Sequence, residues 1–287
     1  MAKDQEKLLV LGMGSSSDKK AFDSLDLDGK TIDDYFKEKG IKIYHYPNNN
    51  SYLTTSIHRT TANAIKYAHD MKRLGEQGHK VVSLLYGGLA FAMPGVVAAE
   101  APNIPVIAVG SDEDAFYNTY KIPDGTPVGV VEVGNIKKGL KLAEKVLNIE
   151  AGDTVNFISQ EFFENYDDVK EMLGKFCNFN EIKEESSLYK GLTVRFGGNP
   201  NTFSYVDKKV ELGVIGFDKS RRSENVITDI KGLENSIVVG RPKNVALYAA
   251  RIIGLSNPDV RKKLIAFREE EAEKYPKRIP MSLEHFK

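Results

Sequence analysis

Between residues 8 and 147, short apolar runs that end in a small-residue turn alternate with helix-like stretches, and this alternation restricts the fold more than any other feature. Leu8-Leu9-Val10-Leu11 runs into Gly12-Met13-Gly14-Ser15-Ser16-Ser17-Asp18, and a helix is predicted over 19–25. Strands follow over 41–46, 80–85, 105–109 and 128–133, with helices over 31–39, 62–74, 96–100, 115–121 and 136–147 between or after them. Continuous apolar runs suit strands buried on both faces. Their alternation with helices predicts an α/β protein, an open parallel sheet with helices on both sides. In such sheets ligands gather beyond the carboxyl ends of the strands, where strand order reverses. Three turns fall at such ends: Gly14 with Ser15, then Ser56 with His58 and Arg59, then Gly87 with Gly88.

The first turn has the makings of an anion seat. Where a strand hands over to a helix, backbone N–H groups point outward and the helix dipole favours negative charge. Gly12 and Gly14 are expected to let the backbone turn and approach a ligand, Ser15 and Ser17 offer hydroxyls, and Asp18 suits a sugar hydroxyl. The plain alternative is a strand-to-helix turn with Ser15 or Ser16 as N-cap. His58 and Arg59 are the sharpest chemical pair. Imidazole gives and takes protons near neutrality, and guanidinium matches phosphate. A lone histidine is more often structural, but this one shares its turn with a serine and an arginine.

Other chemistries find little support. His45, His69, His79 and His285 have no second ligand at metal spacing, so no metal is expected. No Gly-x-Ser-x-Gly elbow occurs, and Cys177 has no local basic partner. The first turn lacks the third glycine of a dinucleotide fingerprint, and no Walker lysine follows it. Forty basic residues balance forty acidic ones, which gives no overall bias toward nucleic acid or an anionic membrane. One cysteine excludes an intrachain disulfide and is expected to be a small buried hydrophobe. The charged start and the absence of any apolar run of membrane-spanning length lead to an expected reducing, cytoplasmic setting.

The second half repeats the plan more weakly. After a linker near 150–153, strands are expected over 155–159, 192–196, 212–217 and 236–239, with helices over 162–176 and 243–253. Gly197-Gly198 echoes Gly87-Gly88. We therefore expect an internal duplication, one copy over 1–150 and a shortened, degenerate one over 151–287. The second copy has neither the serine-rich turn nor the His-Arg pair. The charged helix after Asn257-Pro258, with Val260, Leu264 and Phe267 on one face, is either a surface helix or an arm for a neighbouring subunit.

Together these residues resemble the PurE family, which acts on aminoimidazole ribonucleotide in purine biosynthesis. Met13-Gly14-Ser15-Ser16-Ser17-Asp18 is similar to the family's phosphate motif Met-Gly-Ser-x-Ser-Asp, and Ser56-Ile57-His58-Arg59-Thr60 to its Ser-Ala-His-Arg-Thr. Pro105-Val106-Ile107, the run from Ile122 to Gly129, and the run from Pro242 to Ile252 match later segments. The resemblance implies a flavodoxin-like three-layer sandwich in two tandem PurE-like copies. It implies carboxyl transfer to the ring carbon of the nucleotide, with carbon dioxide or bicarbonate as the other reactant and no cofactor. Gly14, Ser15, Ser17, Asp18, Ser56, Arg59, Gly87 and Gly88 would bind the substrate, and His58 would carry the proton. The alternative is a PurE-like nucleotide-binding protein, or an enzyme for another carboxylated nucleotide.

Two departures stand out. The mutase branch has a histidine in Gly-Gly-Ala-Ala-His-Leu-Pro-Gly, whereas Gly87 to Gly95 here is one residue longer and has none. The family's octamer would, with two fused copies, become a ring of four chains. In it Arg195, Asn199, Asn201 and Lys243 could complete a composite pocket.

Overall fold

The first strand, β1 (Lys7–Met13), is buried over all but its first residue, as a strand at the centre of a parallel sheet must be. The computed structural model describes residues 5–46, 60–88, 91–150, 152, 154–159, 165–182, 189–197, 200–217 and 223–274. After β1 come α1 (Ser16–Asp23), α2 (Ile32–Glu38), β2 (Ile41–Tyr46), α3 (Thr61–Glu76) and β3 (Lys80–Gly87). The first half closes with α4 (Met93–Glu100), β4 (Val106–Gly110), α5 (Glu113–Tyr120), β5 (Gly129–Val130) and α6 (Ile136–Asn148). The second half holds β6 (Thr154–Ser159), α7 (Tyr166–Phe176), β7 (Asn178–Glu181), β8 (Tyr189–Phe196), α8 (Pro200–Asp207) and β9 (Val210–Gly216). It ends with α9 (Ser223–Asp229), β10 (Ser236–Val239), α10 (Pro242–Gly254) and α11 (Pro258–Glu273).

The strands form one ten-stranded sheet in the order β2-β1-β3-β4-β5-β10-β9-β8-β6-β7. The first half therefore has the flavodoxin-like order 2-1-3-4-5, and the second half repeats it outward from β10. Neighbours are parallel except at the junction, where β5 and β10 pair antiparallel through Val130 with Val238 and Gly129 with Val239. Helices cover both faces. Leu9 and Leu11 share a core with α1, α2, α6, α7, α10 and α11, while Leu8 and Val10 face α3, α4 and α5. Both of these cores draw residues from the two halves.

The predicted β5 over 128–133 shrinks to two residues. Gly129 lies under Tyr248, and a Cβ there would come 2.6 Å from the phenol oxygen and collide with Ile237. The bare backbone is what lets α10 lie close over the junction. β7 escapes the apolar-run criterion because it is the edge strand, with Asn178, Asn180 and Glu181 exposed.

The long helices also stitch the halves together. Lys145 on α6 donates to Asn235, just ahead of β10. Arg251 on α10 is fully buried and donates to the carbonyls of Ile104 (3.1 Å) and Ala98 (2.7 Å). Arg261 on α11 donates to Gly75 (2.7 Å), Gly254 (3.0 Å) and Leu255 (3.1 Å), and Arg268 to Ala99 (3.1 Å). Apart from Ile104, in the loop ahead of β4, these carbonyls belong to the last turns of α3, α4 and α10 or to the residue just after, where helices leave acceptors unpaired and favour cations. The charged helix α11 thus packs on its own chain.

Three tests follow from this packing. Arg261→Ala should lower unfolding stability by about 2–4 kcal/mol through three lost charge-assisted bonds, measured by urea denaturation, whereas an unchanged midpoint would contradict the clamp. Gly129→Ala should cost about 1–3 kcal/mol by overpacking the junction, read by the same assay, and a neutral result would mean α10 is free to move. Burial pushes the Cys177 thiol up from its ordinary 9.0 to about 12. It should react with a thiol reagent at pH 8 on the order of a thousandfold more slowly in the native than in the unfolded chain. The raised folded value means that the stabilisation from keeping this thiol neutral is complete below about pH 9 and lost as pH climbs toward 12.

Candidate functional site

The strand order of the first half reverses at β1, which lies between β2 and β3. The turns after β1, β3 and β4 therefore open on one edge around this switch point. Gly14 N–H donates to the carbonyl of Tyr86 at 3.3 Å, tying the β1 turn to the end of β3. Ser111 N–H donates to Gly87 O at 2.9 Å, tying β4 to β3 in the same way.

Ser15 is the N-cap of α1, and its hydroxyl accepts from Asp18 N–H at 3.4 Å. The helix starts at Ser16, three residues before the predicted 19, because this cap satisfies an amide of its first turn. Ser17 falls within that first turn. The N-cap interpretation is the one the structure shows, a capped helix N-terminus at the switch point. Beside Gly14 a Cβ would meet Asp18 Oδ2 at 3.3 Å and nothing else within contact, so the backbone here is open.

Gly12 plays a different part from the one expected. It lies inside β1, where a Cβ would collide with Leu85 and come 3.5 Å from the Tyr67 ring. Tyr67 reaches from α3 to donate to Val10 O at 3.2 Å and share a hydrogen bond with Ser83 at 2.8 Å. Gly87 and Gly88 are likewise occupied by neighbours. The Phe91 ring packs 2.9 Å from a Cβ on Gly87, and Ser111 Oγ and Asp112 Oδ2 lie 2.5 and 2.7 Å from one on Gly88. Both glycines bring walls of the crevice together.

Ser56, His58 and Arg59 lie outside the described residues. The chain leaves β2 at Tyr46 and is described again from Thr60, the N-cap of α3. That helix joins the end of β2 to the start of β3, so its N-terminus lies on the same edge as the β1 turn.

Tyr86, Ser111 and Asp112 carry no motif and were missed as site residues. Asp112 caps α5, accepting from Ala115 N–H at 2.8 Å and from Ser111 Oγ at 3.0 Å. Tyr86 is half-buried, and burial first, then the charges of Asp18 and Asp112, raise its phenol above the usual range. Alternating polar residues after a strand-ending glycine, Ser111-Asp112, were the available clue.

The second-half candidates do not join this crevice within one chain. Antiparallel pairing at the junction puts the carboxyl ends of β6 to β10 on the opposite edge of the sheet. Arg195 is buried within β8, Lys243 is exposed in the first turn of α10, Asn201 falls in α8, and Asn199 lies outside the described residues. A cleft of about 330 Å³ lies elsewhere, lined by Glu144, Lys145, Asn148 and Glu211 among others, with none of the predicted site residues. Among the described residues no group of three or more His, Cys, Asp or Glu could hold a metal ion, and no helix is long and apolar enough to cross a membrane.

Comparison with known proteins bears on the same segment. The N5-carboxyaminoimidazole ribonucleotide mutase of a Synechocystis strain is 34% identical over 98 residues, which are 32% of this chain and 53% of that protein. The chain thus spans about half the length of this curated relative. The crystal structure of PH0766 from Pyrococcus horikoshii OT3 aligns with 89% of this chain and 66% of its own, at 12% identity and a TM-score of 0.31, too loose a likeness to bear on fold or function. A family model described as AIR carboxylase matches residues 9–161, which contain the serine-rich turn, the histidine-arginine turn and the described crevice. By that match, over more than half its length, the chain belongs to the AIR carboxylase family.

Proposed function

We propose that the chain moves a carboxyl group onto the ring carbon of aminoimidazole ribonucleotide, starting from the N-carboxy isomer. The observation that carries this is the open, capped turn at Gly14 and Ser15, tied to β3 at the switch point and lying inside the family match. The nucleotide's phosphate would sit on the N-terminus of α1 with Arg59 and Ser56, and Asp18 would accept from a ribose hydroxyl. Likeness to the Synechocystis protein, a mutase, favours the N-carboxy isomer over direct carboxylation.

The chemistry asks little more of the protein than position and one proton carrier. Cleavage of the N-carboxyl bond releases carbon dioxide and leaves the amine nitrogen needing a proton. The ring carbon then attacks the carbon dioxide and becomes tetrahedral, with one proton too many. His58 would give the first proton and take back the second, so the imidazole ends as it began. Holding carbon dioxide against the ring is the work of a closed, oriented pocket.

The two halves are best understood as copies of one unit, since they share one strand order about the β5–β10 junction. Their carboxyl edges face opposite ways, so a composite pocket would form between chains, and a ring of four chains is the assembly we propose. A second possibility, a nucleotide-binding protein without turnover, is favoured by Phe91, which packs over Gly87 in the stretch that has no histidine.

Incubation with the N-carboxy nucleotide, and separately with aminoimidazole ribonucleotide plus bicarbonate, should yield ring-carboxylated product from the first at low carbon dioxide. Product from the second alone would move the assignment to a direct carboxylase. In the parent with turnover, His58→Asn should cut kcat by about 10²–10⁴-fold while the nucleotide dissociation constant stays nearly unchanged. Tight nucleotide binding without turnover in the parent would leave the binding-protein alternative standing.

A further inference from the structure

Tyr86 is the next-to-last residue of β3, opposite Met13 on β1 and Val109 on β4, so it stands at the middle of the crevice. Its ring packs edge-on against Phe22 of α1, with centroids 5.8 Å apart and planes at 90°. That contact fixes the ring, and the Gly14 bond to its carbonyl fixes the backbone beneath it. Among the described residues its hydroxyl has no hydrogen-bond partner and is left open to a ligand. Two carboxylates bear on it, Asp18 from the β1 side and Asp112 from the β4 side. The phenol keeps its proton in that field and can donate it to a ligand that brings an acceptor.

We propose that Tyr86 distinguishes carboxylated from uncarboxylated nucleotide, by donating a hydrogen bond from its phenol to the carboxylate on the ligand's base. This rests on the nucleotide assignment of the crevice. With the phosphate on the α1 N-terminus, the ligand reaches across β3 toward β4, two strand spacings of about 10 Å in all. Tyr86 stands on the middle strand of that span, so its hydroxyl faces the sugar and base side of the ligand rather than the phosphate. Asp18 and Asp112 suit donors such as ribose hydroxyls or a ring amine, and both repel a ligand carboxylate. Ser111 already gives its proton to Asp112. The Tyr86 hydroxyl is thus the neutral donor in this acidic cluster that can offset the repulsion.

Calorimetric titration of the full chain with aminoimidazole ribonucleotide and with its ring-carboxylated form tests this in the parent and in Tyr86→Phe, which keeps the ring against Phe22. Affinity for the carboxylated nucleotide should fall about tenfold in the variant, while affinity for the uncarboxylated one changes by less than about twofold. Equal loss for both ligands would make Tyr86 a packing residue and overturn the proposal, as would no loss for either. If the parent binds both nucleotides and the ratio survives the substitution, this inference alone fails. If the parent binds neither, the nucleotide assignment fails and takes the inference with it.

Discussion

Two residue pairs between β5 and β10 determine how the whole molecule is arranged. Each half is a parallel five-stranded sheet that would end in an open edge at its fifth strand. Unpaired strand edges are costly, and joining two of them removes both. The joint is antiparallel, so the halves are related by a reversal of direction, and everything built on strand ends inherits that reversal. Gly129 makes the joint possible by leaving room for Tyr248 and Ile237. Lys145, Arg251, Arg261 and Arg268 hold it closed by donating across it or to helix ends beside it.

That reversal decides what a site can contain. The turns after β1, β3 and β4 share one edge, bound to one another through Gly14, Tyr86, Gly87 and Ser111. The corresponding turns of the second half open on the other edge. On the proposed assignment, a ligand seated on the α1 N-terminus would lie on the edge that carries Asp18, Tyr86, Ser111 and Asp112, opposite the edge that carries the turns of the second half. The crevice is acidic in its described part, so on the proposed assignment the positive charge a phosphate needs would come from the helix dipole and Arg59.

Much of the fold was legible because strand and helix periodicities differ. β2 and β10 match their predicted limits, and most helices begin within a few residues of where a cap or proline marks them. β7 was invisible because an exposed edge strand carries no apolar run, and α8 and α9 were missed although the equally short α1, α2, α4 and α5 were read. Direction leaves no trace in periodicity, so the antiparallel joint could not be read at all. Glycine was the other blind spot. Gly12 looks like a ligand-facing glycine in sequence, yet it lies inside β1 and admits Leu85. The serine-rich turn was legible as a helix start because serine is a strong N-cap residue. Tyr86 was not, since nothing local distinguishes a tyrosine that packs from one that points into a crevice.

The most direct measurement is a crystal structure of the full chain grown with aminoimidazole ribonucleotide. The account predicts the phosphate on the N–H groups of the α1 N-terminus, beside Gly14 and Ser15, with the base extending over Tyr86 toward Asp112. A phosphate seated on the opposite edge, beyond β8 or at the start of α10, would contradict it.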